Sequence, residues 1–255
     1  MIGKIFIAAA WCGLTTSAAL IARADDAATG LQTVTFRGQA FVVHTVDPTK
    51  EDLQLFWQDD QHNRLRDFIG LDTYVSAQGE RLVFAANAGM FEPDMKPVGL
   101  LVQNSVEQSP LNLKDGDGNF YMKPNGVFVL NEKHEALIVE SSAYTALLTP
   151  ATWATQSGPL MVQRGDIHPD FIQGSKNLKM RSGIGVQKDG TIVFVLSRTP
   201  VNFYDFASLF LEKLKCPNAL YLDGEISAFY VPGMKDTVPH TFGPMFGVVE
   251  KAKNP

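Results

Sequence analysis

Hydrophobic and polar positions alternate along this chain in short runs separated by turn residues, a period-2 pattern that predicts strands. Segments 31–36, 40–46 and 53–57 are predicted strands. Residues 66–79 read as a helix-and-turn region with only moderate apolar spacing. Apolar runs at 82–86 and 98–103 flank a polar loop, Asn87 to Pro97. Two hairpins are predicted, 125–141 and 182–197, the second turning at Asp189-Gly190, residues that tolerate positive φ. The period then changes. Phe203, Phe206, Ala207, Phe210, Leu211 and Leu214 follow helical spacing, with Asn202 as N-cap and Pro217 as terminator. A strand returns at 219–222, and a last apolar run, 242–249, is placed to close the sheet. No repeat or low-complexity linker divides the chain. The expected fold class is α+β (mixed α/β): a single domain with a mostly antiparallel or mixed sheet and a few packed helices.

The N-terminus carries a different pattern. Lys4 precedes a largely apolar run, 5–20, and Ala22-Arg23-Ala24 offers a small-residue cleavage site before Asp25-Asp26. Residues 1–24 are therefore expected to be a cleaved signal peptide, leaving a domain over 25–255 in the periplasm or outside the cell. Gly13, Thr15, Thr16 and Ser17 interrupt the apolar run, so stable membrane insertion is not expected. Cys12 as a lipidation site is disfavoured by the bulky Trp11 before it.

The whole chain of 255 residues carries a formal charge of −5, and losing Lys4 and Arg23 takes this to −7. Such a balance argues against a general nucleic-acid surface, so any anion binding must be local. Cys216 alone remains after the leader, which excludes an internal disulfide in the processed chain. Beside Pro217 it reads as a small buried hydrophobe.

Chemistry is best sought where strands run out into polar turns. The run "LYLDGEIS" ends a hydrophobic strand in Asp223-Gly224, putting a carboxylate at the rim of a sheet, where glycine permits a sharp turn or close ligand approach. Glu225 shares a face with Asp223 only if the extended geometry continues. A turn Asp bonded to its own backbone is the plainer alternative. Arg181 opens the strand "SGIGV"; its fork matches phosphate, although a structural ion pair would use it equally well. Asn87 follows a strand directly and could bond sugar hydroxyls. Lys123 and Asn125 face either ligand or solvent. Gly158-Pro159 makes a turn that leaves the Ser157 hydroxyl available to a ligand. Asp115, Asp117 and Asn119 resemble the start of a calcium loop, but its twelfth position is Gly126 instead of Glu. The five histidines form no metal-binding pattern. No cofactor is expected.

Taken in order, "NAGMF", "PVGLLV", "GNFYMKPNGVF", "QSGPLMV", "IHPDF", "RSGIGV", "VNFYDFASLF" and "CPNALYLDGEIS" resemble the phosphodiester glycosidase family from about Leu82 to Val249. The resemblance places the family's Asn-Gly turn on Asn87 and Gly89, its Arg on Arg181, and its Asp-Gly turn with a following Ser on Asp223, Gly224 and Ser227. It implies an exported hydrolase cleaving the glycosidic bond of a sugar–phosphate diester, in an envelope glycan, a lipid-linked sugar or a nucleotide sugar. Arg181 would then hold the diester, Asp223 would serve as base or nucleophile, and Asn87 and Asn125 would position oxygens. Gly89, Lys123, Ser157, Gly224, Glu225 and Ser227 complete the expected substrate-binding set. Glu225 and Ile226 stand where the branch that removes N-acetylglucosamine from phosphate on mannose has glycines, so that specificity does not carry over. Two alternatives stay open: a phosphodiesterase cutting P–O, and a non-catalytic glycan-binding module using aromatics such as Trp153, Tyr204 and Tyr230.

Overall fold

A computed structural model describes residues 30–224, 226–234 and 241–252. The expected signal peptide lies outside the described residues. Three sheets carry the fold, and every strand pairing among the described residues is antiparallel. The largest has seven strands: β1 (Gln32–Phe36), β2 (Gln39–Val46), β13 (Ile192–Ser197), β12 (Ser182–Val186), β14 (Asn218–Asp223), β10 (Leu160–Gln163) and β11 (Asp166–Ile167), in that spatial order. A four-stranded sheet runs β15 (Phe229–Tyr230), β4 (Glu80–Asn87), β16 (Met245–Lys251), β3 (Asp52–Phe56). The third runs β6 (Val106–Ser109), β5 (Leu101–Gln103), β9 (Ala151–Ser157), β7 (Gly126–Asn131), β8 (Ala136–Glu140).

Period-2 alternation decides which side chains meet. Ile192 and Phe194 of β13 face a central core, while Val193 and Val195 face outward onto a second cluster. Likewise Phe128 and Leu130 of β7 point to the centre, and Val127 and Val129 away from it. The three inner faces meet in a chain of rings. Phe84 lies 5.3 Å from Phe194, Phe194 5.1 Å from Phe246, and Phe246 5.4 Å from Phe128, between ring centroids. Every sheet contributes at least one of these rings, each worth about 2–3 kcal/mol of burial.

Helices cover two outer faces. Helix α1 (Phe68–Ala77) starts where the Asp67 carboxylate accepts from the Gly70 N–H at 2.7 Å, and buries Phe68, Leu71 and Val75 against the four-stranded sheet. Helix α2 (Phe203–Ser208) continues into a π-helical turn, Leu209–Lys213, and covers the seven-stranded sheet. Its close approach explains two glycines of β12. A Cβ on Gly185 would stand 2.7 Å from Phe210 and 2.8 Å from the Cys216 sulfur, and one on Gly183 3.2 Å from Phe206, as well as 2.8 Å from Met161 of β10.

The strand and helix expectations hold in position, with shifted ends. The few helices and antiparallel pairing match expectation, but three antiparallel sheets stand where a single sheet was expected. β16 pairs with β4 and β3 in the four-stranded sheet, away from the largest one. The physical reason is that helices α1 and α2 cover only outer faces, so the inner faces must bury one another. Among the described residues no helix is long and apolar enough to cross a membrane.

Candidate active site

Three strand ends from two sheets converge. Asn87 is the last residue of β4, Ser182 the first of β12, and Asp223 the last of β14, directly opposite Ser182 in the ladder. Buried Asn87 donates from Nδ2 to the Ser182 hydroxyl at 2.9 Å and accepts from the Ala228 N–H at 3.3 Å. The Ser182 and Ser227 hydroxyls both donate to the Asp223 carbonyl, at 3.3 and 2.9 Å. Carboxylate oxygen Oδ1 of Asp223 accepts from the Gly224 N–H, and from the Ile226 N–H at 3.4 Å. The extended backbone thus ends at Asp223 and folds into a carboxylate-capped turn. Glu225 itself lies outside the described residues.

Adjacent residues on a strand point to opposite faces, so Arg181 looks away from this cluster, toward α2. Its guanidinium is buried, with the whole residue only 1% exposed. Nε donates to the Val201 carbonyl at 2.8 Å and Nη2 to the Asn177 carbonyl at 3.3 Å. The Phe203 ring lies 3.5 Å beneath it, followed by Phe171 and His168 in a stack with 4.7 Å between successive rings. Among the described residues no carboxylate forms an ion pair with Arg181. Burial pulls its pKa down and pushes the Tyr221 phenol up. Tyr221 interacts through its hydroxyl with both Arg181 and Asn119. A Cβ on Gly224 would stand 2.2 Å from that same hydroxyl, so only glycine fits between Tyr221 and the Asp223 turn. A cavity of about 140 Å³ opens on this side, lined by Asn119, Asn177, Phe171 and Phe203 among others.

The expected residues distribute as follows. Asn87, Asp223, Gly224 and Ser227 come together. Ser157 lies at their edge, its hydroxyl donating to the Leu222 carbonyl at 3.2 Å. Gly89 and Asn125 are buried in the surrounding loops. The Gly89 N–H donates to the Thr155 hydroxyl at 3.2 Å, and Asn125 Nδ2 to the Phe120 carbonyl at 2.8 Å. Lys123 turns outward, its ammonium held by the exposed Asp115 carboxylate and by the Leu113 carbonyl. Two members escaped the sequence reading. Tyr221 was findable, since it stands two residues before Asp223 in one strand. Ser182 had a weaker signal, adjacency to Arg181.

The profile of the phosphodiester glycosidase family matches residues 80–243. The uncharacterized protein YigE of Escherichia coli K12 is 32% identical over 230 residues, covering 90% of this chain and 85% of that protein. Among solved structures, the catalytic domain of zebrafish N-acetylglucosamine-1-phosphodiester alpha-N-acetylglucosaminidase superposes with a TM-score of 0.57 at 13% identity, over 86% of this chain and 81% of that one. A hypothetical protein from Synechocystis gives 0.56 at 16% identity, over 86% of this chain and 61% of that one. These two likenesses concern the fold. The profile match, over more than half of the chain, settles the assignment: this chain belongs to the phosphodiester glycosidase family.

Proposed function

We propose that the protein hydrolyses sugar–phosphate diesters at the glycosidic carbon. The observation that carries this reading is a buried arginine with no carboxylate partner among the described residues, set behind a strand-end carboxylate. A buried cation without a counter-ion is costly, and an anionic substrate is the natural group to offset it.

In this mechanism the bond between the anomeric carbon and the bridging oxygen breaks, and a phosphate monoester leaves with the electron pair. Water supplies the new oxygen on the sugar and one proton. Asp223 acts on the anomeric side, as base for that water or as nucleophile. Its carboxylate is held by the Gly224 and Ile226 N–H groups, and its backbone by Ser182 and Ser227. Arg181 stabilises the charge gathering on the departing phosphate. Since its Nε and Nη2 already serve backbone carbonyls, it acts chiefly as a fixed positive charge in a low-dielectric wall, passed forward through Tyr221. A phosphate monoester is a stable anion, so departure needs less protonation than breaking a bond between two sugars. One essential carboxylate suffices. Asn87 orients Ser182, and Asn125 shapes the loop beside them.

Within this reading the leader at 1–24 places the reaction outside the cytoplasm. The test is turnover of a panel of α- and β-linked sugar–phosphate diesters by the wild type and by Asp223→Asn. Free sugar released from one of them by the wild type only is the expected result. Equal turnover by both proteins would remove Asp223 from the mechanism. No turnover, with retained binding of envelope glycans, would favour a binding module.

A further inference from the structure

A cavity of about 600 Å³ lies at the other end of the seven-stranded sheet and belongs to nothing described so far. It sits where β12 ends and β14 begins, about 16 Å from Ser182 at roughly 3.3 Å per residue. Three cations line it from three separate elements: Arg164 in the β10–β11 turn, Lys188 in the β12–β13 turn, and Lys215 after the π-helical turn. Among the described residues none of the three forms an ion pair. The one acid in the lining, Asp189, accepts from the Thr191 N–H at 3.0 Å.

Two of these cations occupy positions that the backbone would give to glycine. Arg164 has φ of 53° and Lys215 φ of 58°, both in the left-handed region where a side chain is disfavoured. The turns are locked there. Gly165 N–H donates to the Pro217 carbonyl at 2.9 Å, the Arg164 N–H to Asn218 at 2.9 Å, and Cys216 N–H to the Phe210 carbonyl at 2.8 Å. A helix C-terminus favours a nearby cation, which accounts in part for Lys215 but not for Arg164 or Lys188. Arg37 and Arg66 also take positive φ, so the conformation alone does not mark these two residues; what sets them apart is that cations from three separate elements converge on one cavity of an acidic protein.

We propose that this cavity is a second anion site, which takes the phosphate group of a phosphorylated sugar. Arg164 offers a fork for two phosphate oxygens, and Lys188 and Lys215 supply point charges. Leu211 and Pro217 give an apolar wall for the face of a sugar ring. The volume exceeds what an inorganic anion needs and falls within the range of small-ligand sites.

The test titrates glucose 1-phosphate, with glucose as control, into the Asp223→Asn protein at low salt. Amide chemical shifts of Gly165, Gly190 and Lys215 are followed, so that this cavity is read separately from the active site. Saturable shifts with the phosphate and none with glucose are expected. Adding Arg164→Gly and Lys215→Gly should weaken that binding about tenfold or more while leaving the melting temperature no lower, because glycine relieves both turns. In an otherwise wild-type protein the same pair should leave turnover of a small diester unchanged. Undiminished binding by the glycine variant, or equal shifts with glucose, would overturn the proposal. A parallel arm uses phosphatidylglycerol vesicles. Vesicle binding lost in the glycine variant, without any response to glucose 1-phosphate, would assign the phosphate to a lipid headgroup and overturn the sugar part of the proposal.

Discussion

Asp223 and Arg181 show what one residue owes to its neighbours. The Asp223 side chain accepts from two backbone N–H groups, and an asparagine oxygen accepts equally well. Asp223→Asn should therefore fold with a nearly unchanged melting temperature and lose about 10²–10⁴ in kcat, as removal of a working acid–base group does. Steady-state rates beside a thermal melt check both halves. Arg181→Met removes a buried charge and also strips donors from the Val201 and Asn177 carbonyls. The Val201 carbonyl keeps the Lys179 N–H at 3.2 Å, so the cost falls on the Asn177 carbonyl and should be about 1–3 kcal/mol of stability. Arg181→Lys should recover part of the activity but not the stacking on Phe203, and denaturant melts beside kcat/KM separate these effects. At this scale the sequence was partly readable. Asp223 and Asn87 were visible because an apolar strand ran directly into them. Lys123 was not, because its partner Asp115 lies eight residues away in a loop with no regular period.

Among elements, the helix over the site was the most legible. Its apolar spacing and its cap are local properties, and Asn202 Oδ1 accepts from the Asp205 N–H at 2.8 Å. Asn202→Ala should cost about 1 kcal/mol, as other lost caps do. Since α2 begins with Phe203, the ring beneath Arg181, the same change should lower kcat more than it raises KM. An unchanged kcat would separate the helix from the chemistry. Strand β9 was illegible for the opposite reason. Its sequence, Ala-Thr-Trp-Ala-Thr-Gln-Ser, is polar, yet its last four residues are buried. Gln156 is satisfied there by the Leu100 and Asn112 N–H groups, the Asn112 carbonyl and the Ser141 hydroxyl. Those partners come from distant parts of the chain, which no window along the sequence contains.

At the scale of the molecule, three sheets share one core, and their order could not be read from strands that all alternate alike. Phe194 joins that core to both strands of Phe84 and Phe246. Phe194→Ala should cost about 3–5 kcal/mol in denaturant melts. Buried histidines add a pH dependence. Burial holds His44 and His168 below the usual 6.5, against a Gly30 carbonyl in the first case and against Asp170 and the Lys123 carbonyl in the second. The unfolded chain then binds protons first, so their contribution is complete above about pH 6.5 and is lost as the pH falls through the folded values. Melting temperature should drop between pH 7 and 5, before the carboxylates lowered from 3.8 begin to titrate, and His168→Gln should flatten that slope. The central claim remains where the substrate breaks. It is tested most directly by turning over an active sugar–phosphate diester in oxygen-18 water and locating the label. The account predicts the label on the anomeric oxygen of the free sugar, with an unlabelled phosphate monoester. Label in the phosphate would mean P–O cleavage, and would contradict it.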